Sequence, residues 1–125
     1  MSPYFFTIAF SGTYRHRHYL QKESVIGETV HLQCGDARTV KGPVDWSYRR
    51  KSDTMFHLIT AGGYLTNGNF ESRLNVNGST LVINNVQTND SGIFICIEEM
   101  GMGKKHQLRL SVHGKLNKLI NKCSA

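Results

Sequence analysis

Short segments of alternating polar and apolar residues, separated by turn residues about every ten positions, constrain this chain most. The clearest segment is residues 27–34, in which Val30, Leu32 and Cys34 alternate with polar residues. Because side chains point to opposite faces along a β-strand, this pattern predicts one buried and one exposed face. Asn77-Gly78 stands between two such segments and is a strong hairpin signal. We therefore expect about nine strands in an all-β sandwich or barrel.

The length of 125 residues, with 39% hydrophobic residues, suits one globular domain. We expect an N-terminal apolar and basic arm at 1–18, the folded domain at 19–113 and a basic tail at 114–125. The apolar part of the arm fits a signal-peptide remnant, an extra edge strand or a segment that pairs with a neighbour. The sequence contains no apolar run of about 18 residues, so we expect no membrane span in this chain.

Three cysteines limit the chemistry of the chain. Cys34 and Cys96 end strand-like segments, whereas Cys123 lies in the polar tail. They form no C-x-x-C motif and no zinc-finger spacing with histidine, so we expect neither a metal nor a cofactor. The simplest pairing joins Cys34 to Cys96 and implies an oxidising, extracytoplasmic setting. The alternative is two buried free cysteines in an intracellular domain.

A series of residues around these cysteines carries a family resemblance. Trp46 follows Cys34, and Leu81-x-Ile83 precedes the stretch Asp90-x-Gly92-x-Phe94-x-Cys96. The series resembles the immunoglobulin superfamily over about residues 24–112. Strand-like residues between 56 and 65 make the chain similar to the variable, or V-set, type.

The resemblance implies a V-type β-sandwich of two antiparallel sheets joined by a Cys34–Cys96 disulfide. Its core would contain Trp46, Leu81, Ile83 and Phe94. The resemblance also implies a structural salt bridge between Arg73 and Asp90. Phe94 departs from the family pattern, because it stands where a corner tyrosine is usual, and the hydroxyl bond of that tyrosine would be missing.

The strand that contains Cys96 carries three isoleucines at alternate positions. If Phe94 and Cys96 face the core, then Ile93, Ile95 and Ile97 face outward. An exposed apolar sheet face usually marks an interface. The neighbouring strands would add a polar rim, formed by Asp45, Ser47, Arg49, Gln107 and Arg109. The loop after the strand would add Met100 and Met102, whose flexible side chains can adapt to a partner. Members of the V-set commonly pair through this face, so the resemblance implies a homodimer or another protein partner. The alternative is that the N-terminal arm covers these isoleucines within one chain.

The formal net charge of +6 favours acidic partners. An alternative function is therefore the binding of anionic glycan or lipid through basic residues, namely Arg15, Arg17, Arg49, Arg50, Lys51, Lys104 and Lys105. These residues are not interleaved with aromatic residues, so we expect no nucleic-acid binding.

The sequence shows no pattern of an enzyme. The six histidines are scattered, and no nucleophile elbow, phosphate loop or paired acids occur. Glu98-Glu99 is expected to be a charged rim. Two glycosylation sequons begin at Asn77 and Asn89, and the second is expected to be poorly accessible because it overlaps Asp90. We therefore expect an extracellular recognition or adhesion module of an immune-type receptor or a secreted protein.

Overall fold

The computed structural model describes residues 19–66 and 71–114, so the N-terminal arm and nearly all of the tail lie outside the described residues. The described residues form ten strands: β1 (Tyr19–Val25), β2 (Val30–Gln33), β3 (Asp45–Arg50), β4 (His57–Leu58), β5 (Thr60–Ala61), β6 (Tyr64–Leu65), β7 (Leu74–Asn77), β8 (Thr80–Ile83), β9 (Gly92–Ile97) and β10 (Lys105–His113). Three single helical turns connect them, at Glu71–Arg73, Thr88–Asp90 and Glu98–Gly101. None of these described turns is long and apolar enough to cross a membrane.

The strands form two main sheets. The larger sheet has the order β1-β10-β9-β3-β4, and the smaller has the order β2-β8-β7. Strands β5 and β6 form a separate hairpin. The predicted all-β sandwich is confirmed, with ten described strands instead of about nine. One edge differs from the expected antiparallel arrangement, because β1 pairs parallel with β10. Strand β1 lies in the larger sheet and β2 in the smaller, so the chain crosses between sheets at the intervening turn, where Gly27 has φ +93°.

The core lies between the sheets and is crossed by the disulfide. The Sγ atoms of Cys34 and Cys96 are 2.06 Å apart, and both residues are fully buried. Trp46 is the cross-strand partner of Cys96 and is 1% exposed. Leu81, Ile83 and Phe94 complete the predicted core set, each with no exposed surface. The disulfide therefore joins the two layers beside the indole ring.

Phe94 explains how the core tolerates the absence of a corner tyrosine. Its ring stacks on that of Tyr48, with the centroids 6.0 Å apart. Tyr48 is itself only 8% exposed. Two stacked rings bury a large apolar area, and Phe94 brings no hydroxyl group that would need a partner in the core.

Candidate protein-binding face

The side of the larger sheet that points away from the core is here called the outward face. It is formed on β9 by Ile93, Ile95 and Ile97. The pairing register places two neighbours beside each isoleucine: Arg49 and Arg109 beside Ile93, Ser47 and Gln107 beside Ile95, and Asp45 and Lys105 beside Ile97. Residues directly opposite one another in antiparallel strands share a face. The structure therefore brings all eight predicted sheet residues of the interface together.

The exposure of the isoleucines differs from the expectation. Ile95 is buried, with 9% of its surface exposed, and Ile93 and Ile97 are half-buried. The expectation of three exposed isoleucines is wrong for Ile95. Ile95 lies at the middle of β9, between Ser47 of β3 and Gln107 of β10, whereas Ile93 and Ile97 lie nearer the ends of the strand. The outward face thus offers two partly exposed isoleucines on either side of a buried one.

Leu58 on β4 adds apolar surface that the sequence did not reveal. It is the cross-strand partner of Ser47, so it lies on the outward face, and 64% of its surface is exposed. Met55 and Phe56, just before β4, are also exposed. The sequence shows strand-like residues between 56 and 65 but not the division between β4 and β5, so it does not assign Leu58 to a face. The face of Leu58 follows only from its cross-strand pairing with Ser47, which the structure provides.

Two predicted rim residues are also tied into the fold. The Asp45 carboxylate accepts a hydrogen bond from the Gly63 backbone N–H at 2.9 Å and so anchors the β5–β6 hairpin. The Arg49 guanidinium donates to the Asp53 carbonyl at 3.2 Å and lies 5.3 Å from the centroid of the Phe56 ring. These contacts hold the side chains of Asp45 and Arg49 in place within the folded chain.

Glu98 is a buried carboxylate and not a charged rim residue. It is 5% exposed, one oxygen accepts from the Lys41 backbone N–H at 3.0 Å, and the other is 2.7 Å from Nε2 of His106. The hydrogen bond with His106 and then the bond from Lys41 lower the pKa of Glu98. Because the contacts with Lys41 and His106 bury this carboxylate, the expectation of a charged rim is wrong for Glu98. The carboxylate holds the loop after β9 against the loop between β2 and β3.

Backbone hydrogen bonds complete this attachment. The Glu99 N–H donates to the Lys41 carbonyl at 2.9 Å, and the Met100 N–H donates to the Pro43 carbonyl at 2.7 Å. Met100 and Met102 are 55% and 86% exposed at the tip of the loop. The structure therefore places both methionines beyond the end of β9, on a loop that is tied to its neighbour.

The basic residues of the alternative function are divided between two ends of the sheet. Lys51 follows β3 at one end, whereas Lys104 precedes β10 and Lys105 begins it at the other. Arg49 and Arg50 lie in β3, and the Arg50 guanidinium is 5.4 Å from the centroid of the Tyr48 ring. Arg15 and Arg17 lie outside the described residues. Within residues 19–66 and 71–114, no group of histidine, cysteine and acidic side chains could hold a metal ion.

Both sequons lie on the surface. Asn77 is exposed at the β7–β8 hairpin, where Gly78 has φ +63°. Asn89 is also exposed, within the turn Thr88–Asp90. The expectation that Asn89 is poorly accessible is wrong, because Asp90 points into the protein while the preceding side chain points to solvent.

Comparisons with known proteins agree with this architecture. The immunoglobulin domain family model matches residues 23–104, which is more than half of the chain. Among solved structures, Dscam1 isoform 6.9 (N-terminal four Ig domains) aligns with a TM-score of 0.57 and 16% identity, covering 82% of this chain and 24% of that one. The extracellular domain of the voltage-gated sodium channel beta4 subunit, described as a parallel homodimer, aligns with a TM-score of 0.56 and 10% identity, covering 87% of this chain and 99% of that one.

The two neighbours differ in extent. This chain spans about a quarter of the four-domain Dscam1 chain but nearly all of the beta4 domain. A sequence comparison with curated proteins found no significant match. At these identities the structural likeness shows the fold, while the family model covers Cys34, Trp46 and the Asp90–Cys96 stretch. The chain belongs to the immunoglobulin domain family.

Proposed function

We propose that this chain is an extracellular recognition module of the cell-adhesion type that binds a protein partner, or a second copy of itself, through the outward face. The observation that carries the proposal is the partly exposed apolar surface of Ile93, Ile97 and Leu58 within a polar and charged rim. An apolar centre with a polar rim is the usual anatomy of a protein–protein interface. The module is a binding protein and not an enzyme.

Three further observations support this proposal. The Cys34–Cys96 disulfide is of a kind that persists in oxidising compartments, which fits an extracellular location. Strand β4 extends the sheet of β3, β9 and β10 as in variable-type domains, which supports the V-set assignment. The solved structures with this fold include a cell adhesion molecule and a domain whose homodimers are described as explaining cell–cell adhesion.

Asn77 is compatible with a glycan in this arrangement. It lies at the tip of the β7–β8 hairpin, which belongs to the smaller sheet. A glycan at that position would leave the outward face of the larger sheet accessible. Peptide mapping of the protein from a secretory host tests its occupancy.

Sedimentation equilibrium over a concentration series tests the self-association arm of the proposal. We expect the wild type to dimerise, and Leu58→Lys to weaken the dimer at least about tenfold, since a charge would be placed in the apolar centre. Tyr64→Lys is the matched control, because Tyr64 is 81% exposed but lies on the β5–β6 hairpin.

A hetero-partner is tested with the same variants displayed on cells. We expect wild-type and Tyr64→Lys cells to adhere to partner cells, and Leu58→Lys cells not to adhere. A wild type that stays monomeric at high micromolar concentration and supports no cell adhesion would contradict the proposal. Equal behaviour of Leu58→Lys and Tyr64→Lys would show that binding uses another surface.

A further inference from the structure

A small basic pocket lies on the larger sheet, at the end opposite the methionine loop. It has a volume of about 200 Å³ and is lined by Lys51, Ser91, Gly92, Arg109, Ser111 and His113, among others. These residues come from three adjacent strands or their ends, which are β3, β9 and β10. The pocket continues the outward face beyond Ile93, because Arg109 is the cross-strand partner of Ile93.

The polar groups in the pocket are mainly hydrogen-bond donors. Within the described part of the chain, the Lys51 ammonium makes no ion pair, and its side chain is exposed. The Arg109 guanidinium, a permanent cation with contacts of its own, also lines the pocket. Ser91 Oγ accepts a hydrogen bond from the Val112 N–H at 2.9 Å, which directs the hydroxyl proton of Ser91 to another acceptor.

An acidic side chain of β1 lies at the edge of this group. Glu23 on β1 is the cross-strand neighbour of Ser111, and its carboxylate is 3.1 Å from Nε2 of His113. Both of these side chains are about half exposed, so water screens the pair. The pocket therefore combines the exposed Lys51 ammonium with the charge of Arg109 and with two hydroxyl groups, and this set of donors suits an anion.

The size of the pocket limits the ligand. Pockets that take whole drug-sized molecules begin at about 300 Å³. This one is smaller, so it suits a single oxyanion group that is carried by a larger molecule. Beside it on the outward face stand Arg49 and, further along β10, Lys105, so cations recur along the sheet. A polymer with repeated anionic groups matches this distribution better than an isolated ion does.

We propose that the pocket of Lys51, Arg109, Ser91 and Ser111 binds a sulfate ester group of an acidic glycan. This inference goes beyond the proposed protein contact, because the pocket lies at one end of the outward face and Leu58 lies at its β4 edge. An acidic glycan on the opposing surface would add to the partner contact without replacing it.

The test is a titration of the ¹⁵N-labelled protein with sodium sulfate and then with a heparin tetrasaccharide, at constant ionic strength maintained with sodium chloride. We expect saturable shifts of the Ser91, Gly92 and Ser111 amide signals with both ligands, and tighter binding of the tetrasaccharide. Lys51→Gln should weaken binding roughly tenfold, as expected for loss of a charge-assisted hydrogen bond. Glu23→Gln should strengthen it.

Lys104→Gln is the matched control, because it removes the same charge from an exposed lysine near the other end of the sheet. It should leave the shifts at Ser91 and Ser111 unchanged, as should Leu58→Lys, whose failure in adhesion would concern only the protein contact. Equal weakening by Lys51→Gln and Lys104→Gln would overturn the pocket in favour of diffuse attraction. Binding of sulfate without any gain from the tetrasaccharide would overturn the glycan, as would preferential binding to phosphatidylserine vesicles.

Discussion

The Cα of Gly92 packs directly against the carbonyl oxygen of Arg49. A Cβ atom at Gly92 would overlap that oxygen and would lie 2.9 Å from the Cα of Arg50. Since these are backbone atoms of the paired strand β3, no side-chain rotation can relieve the contact. The glycine of the Asp90-x-Gly92 motif is therefore required by the close approach of two strands.

Gly92→Ala should lower the free energy of unfolding by about 2–3 kcal/mol, the upper part of the range for overpacked sites. Gly62→Ala is the control. Its added Cβ meets nothing within 4 Å, and only the left-handed backbone, with φ +63°, is penalised, by about 1 kcal/mol. Urea denaturation of both variants gives the comparison. Equal losses of unfolding free energy in the two variants would show that β3 and β9 move apart at little cost, so the close contact does not require glycine.

Arg73 and Asp90 form a second fixed relationship, at the edge of the core. Nη1 and Nη2 of Arg73 donate to the two carboxylate oxygens of Asp90 at 2.7 and 3.0 Å, and Asp90 is fully buried. The hydrogen bond to Asp90 raises the pKa of Arg73, so the guanidinium stays charged. Arg73→Ala would leave a buried carboxylate with only the Gln87 N–H as a recorded partner among the described residues.

We expect Arg73→Ala to lower the free energy of unfolding by about 3 kcal/mol, as for removal of one partner of a buried pair. Arg38→Ala is the control, because Arg38 also pairs with an aspartate, Asp36, but its side chain is 87% exposed. That variant should unfold with the wild type within error. Thermal and urea unfolding measure both. An equally small effect of Arg73→Ala would show that the buried pair does not stabilise the fold.

The residues of the core were predictable because they combine two signals. Period-two alternation assigned Val30, Leu32 and Cys34 to one face, and the family series identified Trp46 and Phe94. The hairpin at Asn77-Gly78 followed from turn chemistry, since Gly78 adopts a left-handed conformation. Such local rules hold where the burial of one face decides the register.

The details of the outward face were not predictable from local rules. Parity alone gave the direction of Ile95 but not its burial, which depends on the side chains of two neighbouring strands. The contact of Glu98 with Lys41 joins residues 57 positions apart, so no sequence window contains both. Leu58 was missed because the pairing of a two-residue strand is set by its neighbour β3. These features are tertiary and required the structure.

The buried Glu98 carboxylate predicts a specific dependence of stability on pH. Its pKa in the folded protein lies below the ordinary value of 4.5, chiefly because of the bond with His106. A lowered pKa means that the folded state favours the ionised form. This contribution to stability is fully present above the ordinary pKa and is lost as the pH falls through the lowered one.

The free energy of unfolding of the wild type should therefore fall more steeply than that of Glu98→Gln between about pH 5 and about pH 3. At pH 6 the variant should be less stable than the wild type, and the two should converge in acid. Glu99→Gln removes the same charge from the exposed neighbour and should follow the wild-type curve. Parallel curves for wild type and Glu98→Gln in urea titrations would contradict the assignment.

Met100 and Met102 carry the same side chain on one loop but differ in backbone conformation, so they can be compared directly. Met100 has φ +56°, in the left-handed region that disfavours side chains, whereas Met102 has φ −111°. Replacement by glycine removes about 1 kcal/mol of backbone strain at Met100 only. Both replacements increase the entropy of the unfolded chain by a similar amount. Met100→Gly should therefore be more stable than Met102→Gly by about 1 kcal/mol in urea unfolding. Both variants lose an exposed methionine, so both should weaken partner adhesion if the loop contributes to binding. Equal stability of the two would show that the left-handed turn at Met100 is not strained.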